Sequence, residues 1–126
     1  LRKLQRVSPQ TPGSIGLEAA ALSSDPAEQA AWKADPLVHD AITLGAGEAA
    51  LEMARSHPPR LASAGVPVLV LHGGGDTVAS PEDSRALAQR GAEVRIKPDL
   101  RHDLLHERGA AEIAGELLAW IDGRVG

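Results

Sequence analysis

Asp76 and His102 are the residues whose types and setting point to shared chemistry. Asp76 follows the aliphatic run Val68-Leu69-Val70-Leu71 and the cluster His72-Gly73-Gly74-Gly75. A continuous β-branched and aliphatic run, bounded by Pro67 and glycines, predicts a core strand buried on both faces of a parallel sheet. Ala92-Glu93-Val94-Arg95-Ile96-Lys97 predicts a second strand, stopped by Pro98, with Leu100-Arg101-His102 on the loop beyond. The segment between has the length of a loop, helix and strand crossover. Open α/β sheets place their chemistry at the carboxyl ends of parallel strands. If these strands are neighbours, Asp76 and His102 leave the sheet at one edge, and the carboxylate is a candidate for orienting the imidazole.

The elements around that pair follow from local signals. Leu1 to Gly16 is basic and then rich in Pro, Gly and Ser, which predicts a loop. Leu17 to Leu22 predicts a short helix, and Ser24-Asp25-Pro26 opens another over Ala27 to Lys33, ended by Asp35-Pro36. Asp40 to Ser56 has near-helical apolar spacing, with a weak point at Gly45 and Gly47 and a stop at His57-Pro58-Pro59. Arg60 to Gly65 is a short helix or turn. Ser80 caps, and Pro81, Glu82 and Asp83 start, a helix that runs to Arg90 before Gly91. Ile113, Leu117, Trp120 and Ile121 place an amphipathic helix over Gly109 to Asp122, packed on the sheet and ended by Gly123 and Gly126.

Composition excludes several classes of function. The 126 residues carry 13 basic and 17 acidic side chains, a net charge of −4, with no basic stripe for nucleic acid. Without cysteine there are no disulfides or thiolate metal sites, a state that fits a reducing cytosol and an oxidising exterior equally. No apolar stretch approaches the length of a membrane span, so the expectation is a soluble, cytoplasmic chain. With no Phe or Tyr, the core is expected to be aliphatic, with Trp32 and Trp120 its aromatics.

Four stretches carry a family resemblance: Val66 to Pro81, Ala92 to His102, Asp35-Pro36-Leu37-Val38-His39, and His102-Asp103-Leu104-Leu105-His106-Glu107. Over nearly its whole length the chain resembles monoacylglycerol lipases and related lysophospholipases, S33-type members of the α/β-hydrolase superfamily. The resemblance implies a partial α/β-hydrolase fold: cap helices over residues 1–60, then the last two parallel strands and their helices over residues 61–126. Ile42, Leu44, Leu51 and Met53 are then possible lining of an acyl-chain channel, although the buried face of a helix explains them more simply. The chemistry implied is a Ser-His-Asp triad acting on a small lipid ester, with Asp76 as acid and His102 as base, and without a cofactor or metal. The superfamily order is Ser, then Asp, then His, with the serine in a G-x-S-x-G elbow. This sequence has no such elbow; Pro12-Gly13-Ser14-Ile15-Gly16 comes nearest, and Ser14 is assigned to a loop. The oxyanion hole also comes largely from a segment before the triad acid. The expectation is a fragment of a hydrolase, inactive alone. Asp99 stands where the family usually has Gly.

Other readings of the same residues stay open. Asp76 beside glycines also suits a turn carboxylate, and His102 a surface loop. His72 is expected to hold its loop by hydrogen bonds, and His39 and His57 to be loop or helix-end residues. Glu107 recurs in the family, but a helix-end charge or a loop hydrogen bond accounts for it. His72-Gly73-Gly74-Gly75 spells the oxyanion motif of another esterase branch, yet no elbow follows it. His102-Asp103-Leu104-Leu105-His106 imitates the zinc motif H-E-x-x-H with Asp in place of Glu. A non-catalytic remnant acting as a binding module, and a zinc hydrolase, are therefore the alternatives to a serine esterase. An unpaired sheet edge would favour self-association.

Overall fold

The computed structural model describes residues 8–56 and 65–125. The expected stop at His57-Pro58-Pro59 and most of the segment from Arg60 lie outside the described residues. In the expected N-terminal loop, β1 (Pro12–Gly13) pairs antiparallel with β2 (Ile42–Thr43), which corrects a purely irregular reading. Between them lie α1 (Ala19–Leu22) and α2 (Pro26–Ala34). The Asp25 side chain accepts the Ala27 amide at 2.8 Å and Pro26 fills the first turn, so α2 starts where its capping residues dictate. Pro36 cannot continue the helix. Asp35 instead accepts the Leu37 amide at 2.8 Å and turns the chain.

The next helix, α3 (Leu44–Ser56), starts later than the periodicity of Asp40 to Ser56 suggests. Asp40 accepts the amides of Ile15 at 3.1 Å and Gly16 at 2.9 Å and a hydrogen bond from the Ser14 hydroxyl. These bonds hold residues 40–43 against the opposite segment, out of the helix. Gly45 is a site of close approach: its amide donates to the Pro9 carbonyl at 2.9 Å, and a Cβ there would lie 3.1 Å from Pro9. Leu44, Leu51 and Met53 are exposed, so they are not the buried face of a helix in this chain.

Strand β3 (Leu69–Gly73) lies parallel to β4 (Glu93–Lys97), with Leu69 opposite Glu93 and Gly73 opposite Lys97. The crossover is α4 (Pro81–Ala86) and a 3-10 turn over Leu87–Arg90, closed by Gly91 at φ 89°. Ser80 stands at the cap position but makes no side-chain capping bond, which leaves Pro81 and the acids Glu82 and Asp83 to start the helix. The last helix, α5 (Ala110–Val125), runs through Gly123 and past its expected end. Its final turns are held on β4: Trp120 donates to Glu93 at 2.7 Å, and Arg124 pairs with Glu93 at 3.0 Å while stacking on Trp120.

Glu93, Arg95 and Lys97 share one face of β4, as alternate residues must. Arg95 pairs with Glu93 and, at 2.7 Å, with Glu116 of α5, which also takes Lys97. Helix α5 is therefore tied to β4 by ion pairs. Among the described residues Ala19, Ala92 and Ile113 are the buried hydrophobic ones. Residues Leu69 to His72 of β3 are only half-buried, because β4 is the single strand paired with β3 among the described residues. Trp32 and Trp120 are half-buried as well, and do not form a closed core. No described helix is long and apolar enough to cross a membrane.

Candidate active site

Asp76 sits three residues beyond the end of β3, in a turn where its amide donates to the Gly73 carbonyl at 3.3 Å. Its side chain is 2% exposed, and both oxygens are engaged. Oδ1 accepts the amides of Val78 at 2.7 Å and Ala79 at 2.9 Å. Oδ2 lies 2.8 Å from Nδ1 of His102 and 3.0 Å from Nε2 of His72. Burial raises the Asp76 pKa, but bonds from Ala79, His102 and Val78 outweigh it and hold the carboxyl below its ordinary value of 3.8. The group is a fixed anion.

The approach of His102 depends on the glycines of the neighbouring loop. A Cβ on Gly73 would lie 2.0 Å from the Arg101 carbonyl oxygen, and one on Gly74 would lie 2.8 Å from Cα of Pro98. Only residues without a side chain let these loops touch. The Gly74 amide donates to Lys97 at 2.7 Å and the Gly75 amide to Leu100 at 2.9 Å, stitching the loops together. Those two amides are therefore occupied and are not oxyanion donors. Asp99 fits its turn without strain, since no described non-glycine residue has positive φ.

Hydrogen-bond logic sets the tautomers. A carboxylate only accepts, so Nδ1 of His102 carries the proton it shares with Asp76. Among the described residues nothing bonds Nε2 of His102, and the ring is 39% exposed. That nitrogen has a free lone pair, able to take a proton from a hydroxyl brought up to it. His72 is different. Its Nε2 faces two acceptors, Asp76 and the Ala79 carbonyl at 3.3 Å, and its Nδ1 accepts from the Ser84 hydroxyl at 2.6 Å. Both ring nitrogens are engaged, so His72 holds the loop, as its position at the strand end suggests. Its approach to Asp76, 3.0 Å from Nε2 to Oδ2, is the part that sequence reasoning missed; the i,i+4 spacing across a glycine turn was the available signal.

The other singled-out residues lie elsewhere. Ser14 is bonded to Asp40, and Nδ1 of His39 lies 3.4 Å from the Ala41 amide in its own loop. His57 is outside the described residues. His106 lies 2.9 Å from Asp103, and hydrogen bonding to that carboxylate raises its pKa above 6.5. The two histidines of the zinc-like motif thus turn their Nδ1 atoms to different carboxylates, and no described cluster has three or more ligands for a metal ion. Glu107 is more than a helix-end charge: it is 4% exposed and accepts amides from Arg101 and Ser24.

A buried carboxylate bonded to an imidazole beyond the carboxyl ends of two parallel strands is an arrangement that α/β-hydrolase folds use. Comparison with known proteins specifies the family. The model of the serine aminopeptidase S33 family matches residues 1–109. The monoacylglycerol lipase of Mycolicibacterium smegmatis is 34% identical over 110 residues, which is 83% of this chain and 39% of that protein. The fold is similar to that of the Paleococcus ferrophilus monoacylglycerol lipase, with a TM-score of 0.85 at 25% identity, over 94% of this chain and 48% of that one. A soluble variant of the Saccharomyces cerevisiae monoglyceride lipase, solved with a substrate analog, gives a TM-score of 0.78 at 20% identity, over 96% and 44% of the two chains. This chain belongs to the serine aminopeptidase S33 family of hydrolases and has part of an α/β-hydrolase fold. It spans less than half the length of each of these relatives.

Proposed function

We propose that this chain supplies the acid and the base of a Ser-His-Asp triad in a carboxylic ester hydrolase of the monoacylglycerol lipase or lysophospholipase type. The observation that carries the reading is the 2.8 Å contact between Asp76 and Nδ1 of His102, with the other carboxylate oxygen anchored by two amides. In the proposed reaction Nε2 of His102 takes the proton of a serine hydroxyl as its oxygen attacks the ester carbonyl. Asp76 then stabilises the imidazolium, and His102 returns the proton to the departing alkoxide. The serine and most of the oxyanion hole lie outside this sequence, which has no G-x-S-x-G elbow. Residues 1–60 form the cap over the acyl chain in this reading, and residues 61–126 the end of the core. The substrate is a monoacylglycerol or a lysophospholipid.

The test is turnover of a monoacylglycerol and of a short-chain nitrophenyl ester by the full-length protein. Asp76→Asn and His102→Gln are each expected to lower kcat by about 10⁴-fold, the loss typical when a triad member is removed. The isolated chain is expected to hydrolyse neither substrate. Ester turnover by the isolated chain above that of the Asp76→Ala, His102→Ala double variant overturns the division of the triad between segments. Ester binding without turnover by the full-length protein replaces the enzyme reading with that of a binding module.

A further inference from the structure

Behind the acid and base lies a second buried carboxylate, which the proposed reaction does not use. Glu107 is 4% exposed. A carboxylate so placed persists only with its oxygens bonded. Oε1 accepts the amide of Arg101 at 2.7 Å; Oε2 accepts the amide of Ser24 at 2.9 Å and a bond from the Ser24 hydroxyl. One side chain thus joins the residue before His102 to the residue ahead of the α2 cap, 83 positions upstream of Glu107. Burial raises its pKa, but Ser24 and the Arg101 amide outweigh this and keep it below 4.5.

More bonds follow the same seam. The Asp103 amide donates to the Leu22 carbonyl at 2.8 Å, and the Ser23 hydroxyl to the His106 carbonyl at 2.6 Å. The Arg101 guanidinium donates to the carbonyls of Ser23, at 3.1 Å, and Ala20. The backbone amides on both sides of His102 are therefore held: Arg101 by Glu107, and Asp103 by the end of α1. The His102 ring itself has one bond to the described protein, to Asp76. A ring on a single bond takes its aim from its backbone.

We propose that Glu107 is a positioning residue that acts through His102, tying Ser24 to the Arg101 backbone so that the imidazole faces Asp76 only while the α1 and α2 segment is docked. The inference deepens the proposed function and rests on reading His102 as the base. It gives the helical segment a second role beyond covering substrate: lifting α1 and α2 releases the loop and uncouples the acid from the base.

Two readouts test it. In the first, the ¹⁵N-labelled full-length protein is observed by NMR for the His102 Nδ1 proton, which a bond to Asp76 shields from exchange. Glu107→Gln replaces one acceptor oxygen by an NH₂ group that opposes an amide N–H, and Ser24→Ala removes one donor from the helix side. Both are expected to broaden or erase the resonance, Glu107→Gln more than Ser24→Ala. In the second, full-length Glu107→Gln is expected to lose about 10- to 100-fold in kcat with KM changed less than about twofold, because a base misplaced by about 1 Å costs that much. Circular dichroism establishes that the variant is folded at the assay temperature. If Glu107→Gln does not fold, Ser24→Ala carries the test, and an unchanged resonance and kcat overturn the proposal. A folded Glu107→Gln protein with lower melting temperature but unchanged kcat and resonance overturns it too, by reducing Glu107 to a structural staple. If Asp76→Asn leaves turnover intact, it is the proposed triad that fails; the NMR result still judges the link from Glu107 to His102.

Discussion

At the scale of single residues, the molecule turns on two buried carboxylates with different duties. Asp76 is bonded to an imidazole whose other nitrogen has no partner among the described residues, and Glu107 holds the backbone beside that imidazole. Both have pKa values below their ordinary ones, 3.8 for Asp76 and 4.5 for Glu107. A carboxyl depressed on folding stabilises the native state fully above its unfolded pKa, and that stabilisation fades as pH falls through the folded pKa. Urea unfolding of the chain is therefore expected to show stability falling with acid below the ordinary carboxylate values. Asp76→Asn and Glu107→Gln should each flatten part of that slope while lowering stability at neutral pH. A slope unchanged in both variants would show that neither carboxylate is bonded as described. The sequence made Asp76 and His102 legible because each follows a strand signal at a place where such sheets put chemistry. It left Glu107 obscure, because its partner Ser24 lies at the other end of the chain and no local pattern announces it.

At the scale of elements, the site exists because two loops beyond parallel strands can touch. Gly73 leaves no room for a methyl group against the Arg101 carbonyl, whereas a Cβ on Gly115 of α5 would meet nothing within 4 Å. Gly73→Ala is expected to destabilise the chain by about 3 kcal/mol or more, since backbone must move to admit the methyl group. Gly115→Ala is expected to stabilise it by about 0.5–1 kcal/mol through helix propensity alone. Thermal or urea unfolding of the two variants checks the pair, and equal effects would refute the close approach. The helix starts at Pro26 and Pro81 and the stop at Gly91 were legible, because Pro, Asp and Gly act locally. Where tertiary bonds compete with local propensity, the boundaries moved. Asp40 is drawn to residues 14–16, which delays α3, and Trp120 and Arg124 grip Glu93, which carries α5 through Gly123.

At the scale of the whole molecule, the described residues hold a site without a closed core. Among the described residues β3 pairs only with β4, and Leu51, Met53, Val66, Leu118 and Ile121 are exposed apolar residues. A parallel sheet is normally covered on both faces and is seldom stable with so few strands. The isolated chain is expected to self-associate through the free edge of β3, seen as an apparent mass that rises with concentration in sedimentation equilibrium. A monomer mass across the whole range would refute this. Sequence alone determined the strands, the crossover between them and the residue types at their carboxyl ends, because aliphatic runs and Gly and Pro punctuation are local properties of the chain. Only the tertiary structure decided that Asp76 and His102 share a hydrogen bond, that His72 lies beside the same carboxylate and that Glu107 reaches Ser24. Such contacts join residues distant along the chain, and their distances are set by how the loops pack rather than by any pattern a neighbouring residue can show.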